Sequence, residues 1–85
     1  MSVIWKFPLE VRMEQRIRMP RDSVIVDVQV QNGQICMWAI CNPDRIEVDR
    51  EFLIIGTGQE FDTTETYYRG TVQNGVVVWH IFERI

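Results

Sequence analysis

Apolar and polar residues alternate with a period of two along most of the chain. In residues 24–31 every even-numbered position is valine, and three of the four odd-numbered positions are polar. Successive side chains of a β-strand point to opposite faces, so this alternation predicts a strand with one buried face. Comparable patterns predict further strands at residues 3–9, 35–40, 51–55, 67–73 and 76–82.

Two Asn-Gly pairs separate apolar runs and predict tight hairpins. Asn32-Gly33 follows the valine-rich run, and Asn74-Gly75 lies between residues 67–73 and 76–82. Both residue types tolerate the positive φ that a two-residue type I′ turn requires. The letters Val-Gln-Asn-Gly occur at both places, which we interpret as shared turn chemistry rather than as a duplication.

Residues 10–19 allow two interpretations. Glu14 and Arg18 have the i,i+4 spacing of an ion pair on a helix. However, the apolar residues of this segment all occupy odd-numbered positions, and Pro8 and Pro20 bracket it. We therefore expect a strand, with a helix as the alternative.

These elements predict an all-β fold in a single β domain, residues 1–85. Asn42-Pro43-Asp44 and Gly56-Thr57-Gly58 have the composition of turns and separate further strands. Six or seven strands in meander order are expected to form a small antiparallel sheet. We expect this sheet to be curled into a barrel or sandwich, with the two Asn-Gly hairpins as its tightest connections.

The apolar content is high for so short a chain, because 46% of the 85 residues are hydrophobic. A domain of this size buries only about 60% of its unfolded surface. Some apolar surface is therefore expected to be covered by a partner or by another copy, and we expect a homo-oligomer. The net charge of −3 offers no basic footprint, so no DNA partner is expected. The charge is uneven, since residues 1–21 are positive and residues 44–65 are negative.

The residues that could carry catalysis or bind a metal are few. His80 is the only histidine, and Cys36 and Cys41 are the only cysteines. A structural zinc site needs four such ligands, so neither a metal nor a cofactor is expected. Extended chain would separate the two cysteines by about 17 Å, beyond disulfide reach, so free thiols are predicted. No local pattern places a base beside a nucleophile, and an enzyme is not expected.

The sequence also bears on cellular location. No run approaches the roughly 20 apolar residues of a membrane-spanning helix. The first residues lack the basic start and the following apolar run of a signal peptide. Together with the free thiols, this predicts a cytosolic protein.

The second hairpin supplies a candidate ligand site. With Asn74-Gly75 as a two-residue loop, Arg69 falls opposite His80 on one face of the hairpin. Arginine and protonated histidine can hold a phosphate, and aromatic rings can stack on a base. The predicted ligand-binding residues are Tyr67, Arg69, Thr71 and His80 on this face, Trp38 of the first hairpin, and Arg16 and Arg18 of the positive segment. An ordinary exposed strand face is the alternative.

The opposite face of the same hairpin is predicted to belong to the core. Trp79 lies there, because it shares strand parity with Ile81 and faces Val72 across the hairpin. The other residues predicted on this buried face are Tyr68, Gly70 and Val77.

Seven short motifs occur in a defined order along the chain. They are Ile4-Trp5-Lys6-Phe7, Met19-Pro20, Val28-Gln29-Val30-Gln31-Asn32-Gly33, Trp38-Ala39, Gly56-Thr57-Gly58, Tyr68-x-Gly70-Thr71 and Val78-Trp79-His80-x-Phe82-Glu83. In this order they resemble a family of small phage and prophage proteins of unknown function. The chain departs from the family pattern at Arg21-Asp22-Ser23, where the family has a small residue after the proline. No catalytic residues are carried over from the family.

The resemblance implies a biological context. Small acidic phage proteins without catalytic activity often act against host immunity by stoichiometric binding. The leading hypothesis is a homo-oligomeric phage accessory protein of the host cytoplasm that sequesters a small anionic, nucleotide-derived immune signal. The alternatives are a protein-protein inhibitor of a host defence protein and a structural phage component.

Overall fold

The computed structural model describes all 85 residues and contains seven β-strands and no helix. The strands are β1 (Val3–Leu9), β2 (Glu14–Pro20), β3 (Val24–Gln31), β4 (Gln34–Cys41), β5 (Glu47–Gly56), β6 (Thr66–Asn74) and β7 (Val77–Arg84). The all-β prediction is confirmed, and the segment at residues 10–19 contributes a strand from Glu14 onward. No element of the structure is a helix long and apolar enough to cross a membrane.

The strands form two antiparallel sheets that pack face to face. A three-stranded sheet has the order β1-β4-β3, and a four-stranded sheet has the order β2-β5-β7-β6. Of the two predicted arrangements the structure has the sandwich, because the strands divide between two sheets. The predicted meander order is wrong, since only β3-β4 and β6-β7 are neighbours both in the chain and in a sheet. Both sheets contribute to one core of eleven buried residues: Leu9, Met19, Val28, Ile35, Met37, Ala39, Cys41, Phe52, Ile54, Val72 and Ile81.

The first hairpin forms as predicted, and the second forms with a shifted loop. Asn32 and Gly33 have φ angles of 52° and 77°, the pattern of a type I′ turn. In the second hairpin Asn74 still pairs with Val77, so the loop is Gly75-Val76, one residue later than predicted, and the residues of β6 next to the turn pair two positions further along β7 than predicted. Only Gly75 of that loop has a positive φ, as in a type II′ turn, which needs glycine at its first central position alone.

A β-bulge in β6 changes which side chains face the core. Tyr68 pairs with Phe82 and Gly70 pairs with Ile81, so Arg69 is an extra residue without a partner in the register. The strand therefore exchanges faces at this point. Tyr68, predicted in the core, is 58% exposed as a result.

Gly70 also allows the two sheets to approach each other. The edge strands β3 and β6 belong to different sheets but lie side by side. A Cβ atom on Gly70 would lie 3.1 Å from both Cβ and Cγ2 of Val28. Near the same edge Asn74 Nδ2 donates a hydrogen bond of 3.0 Å to the Gly33 carbonyl, which joins the two hairpin turns. These contacts close one side of the sandwich.

The remaining core predictions are largely correct. Trp79 pairs with Val72 and packs against the core as a partly buried residue. Val77, predicted on the same face, is instead 40% exposed because it lies next to the turn. Cys36 and Cys41 are both buried and both free, as predicted.

The loop at residues 57–65 covers the outer face of the four-stranded sheet, the face turned away from the other sheet. Leu53 and Ile55 point to this face, yet they are only 1% and 2% exposed. Phe61 of the loop lies 4.9 Å from Phe82, which pairs with Leu53. Within the loop, the backbone N–H of Thr64 donates a hydrogen bond of 2.9 Å to the Asp62 carboxylate. The loop thus packs on this sheet as part of the fold and shields a second, smaller apolar cluster.

Candidate functional site

An open cleft lies where β7 ends beside β5. The pairing of these strands stops at Arg84 opposite Glu51, and the preceding β5 residues pair only with β2. The cleft is lined by four arginines, four carboxylates and three smaller or apolar residues. They are Arg16, Arg21, Arg50, Arg84, Asp22, Asp49, Glu51, Glu83, Ser23, Val48 and Ile85. We call this feature the arginine cleft.

Backbone hydrogen bonds hold two of the arginines in place. Arg16 lies within β2, opposite Glu51 of β5. Arg21 lies in the turn between β2 and β3, where Ser23 N donates to the Pro20 carbonyl at 3.2 Å and Arg21 N donates to the Ile46 carbonyl at 2.8 Å. Asp22 completes the turn with a φ of 64°, a left-handed conformation that aspartate adopts more readily than most residues.

Every carboxylate of the cleft has a cationic partner in the chain. The ion pairs are Asp22 with Arg45 at 2.8 Å, Asp49 with Arg18 at 3.6 Å, Glu51 with Arg84 at 3.7 Å, and Glu83 with Arg50 at 2.6 Å and Arg69 at 2.8 Å. By contrast, no carboxylate oxygen lies within 4.0 Å of the guanidinium of Arg16 or Arg21. The cleft therefore holds two exposed guanidinium groups without an anionic partner.

The inner wall of the cleft is a buried ion cluster. The Glu83 side chain is only 3% exposed, and those of Arg50 and Arg69 are 16% and 28% exposed. Arg50 donates from Nε to Oε2 at 2.6 Å and from Nη2 to Oε1 at 2.8 Å. Arg69 donates from Nη2 and Nε to Oε1 at 2.8 and 3.0 Å. Two guanidinium forks thus saturate one carboxylate between the sheets.

The strand pattern explains why these three groups meet. Glu83 shares the inward parity of Ile81 on β7, and it pairs with Phe52 of the core. Arg50 lies two residues before Phe52 and so has the same inward parity on β5. The bulge turns Arg69 toward Glu83, where its guanidinium also lies 5.7 Å from the centre of an aromatic ring.

The environment of Glu83 has opposing effects on its pKa. Burial is the largest single influence and raises the pKa, because it disfavours the charged form. The hydrogen bonds from Arg50 and Arg69 and their positive charges lower it, and together they prevail. The pKa of Glu83 is therefore held below its ordinary value of 4.5.

The predicted cross-strand pair of Arg69 and His80 is wrong. His80 pairs with Thr71, whose Oγ1 lies 3.0 Å from Nδ1, while Thr57 Oγ1 lies 2.7 Å from Nε2. These groups lie on the outer face of the four-stranded sheet, whereas Arg69 turns inward to Glu83. The shifted turn and the bulge cause the difference, since each moves the register of β6 against β7.

The other predicted ligand-binding residues do not form one site either. Tyr67 is 56% exposed and contributes the ring beside Arg69, so it lies with Arg69 and apart from Thr71. Trp38 belongs to β4 in the other sheet and pairs there with Lys6. Arg18 is engaged in ion pairs of 3.2 and 3.6 Å with Glu47 and Asp49. Arg16 alone among the predicted residues lines the arginine cleft.

Among the cleft residues that the sequence does not single out, three matter most for its charge: Arg21, Arg50 and Glu83. The sequence indicates Arg21 only as a member of the positive segment at the start of the chain. The signal for the other two was available, because each is a charged residue at an inward-facing position of an apolar strand. A charge at such a position is costly unless another charge meets it. No group of three or more His, Cys, Asp or Glu side chains is arranged to hold a metal ion.

Comparison with protein-family models matches residues 1–85 to a domain of unknown function (DUF7352). The chain belongs to the DUF7352 family. The curated proteins and the solved structures contain no significant match to it. The whole arginine cleft and the buried ion cluster lie within the DUF7352 domain. The function of this family is unknown, so the residues of the cleft are the guide to its chemistry.

Proposed function

We propose that this chain is a non-enzymatic binding domain that holds a small phosphate-bearing ligand in the arginine cleft. Arg16 and Arg21 are the groups that contact the phosphate. The observation that supports this is the charge balance of the cleft, where each carboxylate already has a cation and these two arginines have no anion.

The residue type supports phosphate as the ligand group. A guanidinium is planar and always charged, and its paired N–H donors match two oxygens of a phosphate. The buried cluster supplies a rigid wall beside these arginines, because Glu83 is already saturated by Arg50 and Arg69. Rigid surroundings reduce the entropy that is lost when a ligand binds.

The finer identity of the ligand rests on the resemblance to phage proteins. A nucleotide-derived host immune signal is a small phosphate ester, and sequestering it in the host cytoplasm would make the chain a counter-defence protein. The cleft contains no aromatic residue. Base stacking therefore does not support a nucleotide as the ligand. Only the proposed contacts of Arg16 and Arg21 with the phosphate support it.

A second function, inhibition of a host defence protein, is favoured by the free edge of the three-stranded sheet. The edge strand β1 exposes Val3, Ile4 and Trp5 at 39%, 63% and 40%. Exposed edge strands can accept a strand from another protein. The acidic stretch is a weaker candidate surface, because Glu47 and Asp49 are paired with Arg18. Under this alternative the chain co-purifies with a host protein and releases no nucleotide when it is heated.

Calorimetric titration tests the phosphate proposal. Inorganic phosphate, ATP and a cyclic dinucleotide serve as probes. Parent protein should bind at least one of them, and Arg21→Gln should weaken that binding about ten-fold to a hundred-fold, because a charged hydrogen bond contributes roughly 1.5–3 kcal/mol. Arg12→Gln is the matched control, since Arg12 is also exposed but lies outside the cleft.

Two results would count against the proposal. Binding that is equally weakened by Arg12→Gln would show an effect of overall charge, and not of the cleft. Absence of binding to all three probes at low salt, where exposed charges attract anions most strongly, would remove the phosphate assignment.

A further inference from the structure

The outer face of the three-stranded sheet carries two rows of side chains that cross all three strands. In the first row Ile40 of β4 pairs with Ile4 of β1 and with Val24 of β3. In the second row Trp38 of β4 pairs with Lys6 on one side and Asp27 on the other. Directly paired residues of antiparallel strands point to the same face, so all six share one surface.

The first row is apolar and open to solvent. Ile4, Val24 and Ile40 are 63%, 56% and 39% exposed. The outer face of the other sheet differs, because the loop at residues 57–65 covers it and leaves Leu53 only 1% exposed. The chain thus shields one of its two outer faces and leaves the other uncovered. A contiguous apolar patch on a small protein marks an interaction surface.

The second row indicates what covers this face. Lys6 and Asp27 flank Trp38 with opposite charges, and neither forms an ion pair within the chain. Lys6 Nζ donates to Gln31 Oε1 at 2.9 Å, and Asp27 Oδ2 accepts from Gln29 Nε2 at 2.6 Å. These are exposed hydrogen bonds to neutral amides, which solvent can replace at little cost.

A two-fold axis along β4 makes this face complementary to itself. Rotation about that axis places β1 of one copy over β3 of the other, since these strands flank β4 on opposite sides. Lys6 of each copy then faces Asp27 of its partner copy, and Ile4 faces Val24. An axis across the strands would instead bring β1 over β1 and β3 over β3, and because β1 has no acidic residue and β3 no basic one, Lys6 and Asp27 would not meet an opposite charge.

We propose that the outer face of the three-stranded sheet is the interface of a two-fold symmetric homodimer. Such an interface is isologous, with the same surface used by both copies. Three strands about 4.8 Å apart and some 25 Å long offer a modest area, below the ~800 Å² per partner of a standard interface. The dimer should therefore dissociate in the micromolar range rather than be permanent. The dimer uses the sheet opposite the arginine cleft. The dimer proposal is therefore tested independently of the phosphate proposal.

Sedimentation velocity over a range from about 1 µM to about 1 mM, the range of weak interfaces, tests the assembly. The parent should change from monomer to dimer with concentration, and Ile40→Asp should raise the dissociation constant at least about ten-fold. Val76→Asp is the matched control, because Val76 is 96% exposed but lies in the second hairpin turn. A parent that stays monomeric throughout, or a dimer that Ile40→Asp leaves intact, overturns the proposal.

A charge exchange tests the symmetry. Lys6→Glu and Asp27→Lys should each weaken the dimer, because each places like charges across the interface. The double variant should restore it, since the charges are again opposite. Both sites are exposed, and circular dichroism should show an unchanged β fold in all three variants. Single variants that dimerise as the parent does, or a double variant that stays monomeric, would exclude this two-fold arrangement.

Discussion

Arg50 and Glu83 form a two-pronged ion pair between the sheets, with N–O distances of 2.6 and 2.8 Å. The carboxylate is nearly inaccessible to solvent, and Arg69 shares one of its oxygens. The pair lies at the end of the sandwich next to the arginine cleft. It therefore contributes to the stability of the fold and also shapes the candidate site.

Replacement of Glu83 by alanine should be strongly destabilising. It would leave two partly buried guanidinium groups without their anion, and breaking a buried pair in this way costs roughly 3–5 kcal/mol. Urea denaturation measures the change in the free energy of unfolding. Glu60→Ala is the control, because Glu60 is exposed and makes no ion pair. Equal midpoints for the two variants would mean that the cluster does not stabilise the fold.

The stability should also depend on pH through Glu83. Its pKa in the folded state is below the ordinary value of 4.5, so the folded protein binds this proton less readily than the unfolded chain does. The stabilisation is complete above pH 4.5 and is lost as the pH falls through the lower folded pKa. Glu83→Gln should therefore show a flatter loss of stability below pH 4.5 than the parent. Parallel curves for the two proteins would contradict the assignment.

Arg69 should matter for folding, although the sequence predicts a ligand-binding role for it. Its side chain is 28% exposed and donates two hydrogen bonds to Glu83. Loss of a hydrogen bond to a charged group costs about 1.5–3 kcal/mol, so Arg69→Ala should lower the free energy of unfolding by that amount. Arg69→Lys should recover only part, because an ammonium group lacks the fork. Arg12→Ala, at an exposed site, should change stability by less than about 0.5 kcal/mol.

Gly70→Ala should destabilise the sandwich because of the contact with Val28. The new methyl group would lie 3.1 Å from two Val28 carbons, and overpacking of this kind costs roughly 1–3 kcal/mol. Adding Val28→Ala should recover part of that cost, and a double-mutant cycle measures the coupling. Gly56→Ala is the control, since its methyl group would meet Trp79 at an ordinary 3.5 Å. Additive effects of the Gly70 and Val28 changes would show that the contact is not the cause.

Trp79→Ala should lower stability by an amount approaching the ~3–5 kcal/mol of a fully buried tryptophan. The indole packs against the core and over Gly56, although it is only partly buried. Thermal and urea unfolding should agree on the loss. Val76→Ala, in the exposed turn, should be close to neutral. A Trp79→Ala variant as stable as the parent would contradict the assignment of its face.

The limits of prediction from the sequence are clearest in the second hairpin. The alternation of residues 76–82 correctly placed Trp79 and Ile81 on the core side. It did not indicate the bulge at Arg69, because a bulge adds one residue that interrupts the period of two, and here the extra residue turns inward to a charged partner. That partner, Glu83, lies 14 positions away along the chain. The same is true of the candidate site. The sequence predicted Arg16 as a ligand-binding residue, but it did not predict that Arg16 lines one cleft with Arg21 and Glu83.

The sequence by itself determined the class of the fold, the strands, the type I′ turn at Asn32-Gly33 and the two free cysteines. These features depend on local chemistry: the period of two in a strand and the tolerance of Asn and Gly for positive φ. Only the tertiary structure decided the division into two sheets, the loop Gly75-Val76, and the burial of Glu83 between two arginines. These depend on contacts between residues far apart in the chain, such as Val28 against Gly70 and Arg50 against Glu83. The contact of Val28 with Gly70 forms only when the two sheets pack, and the ion pair forms only when β5 pairs with β7, so no local pattern encodes them.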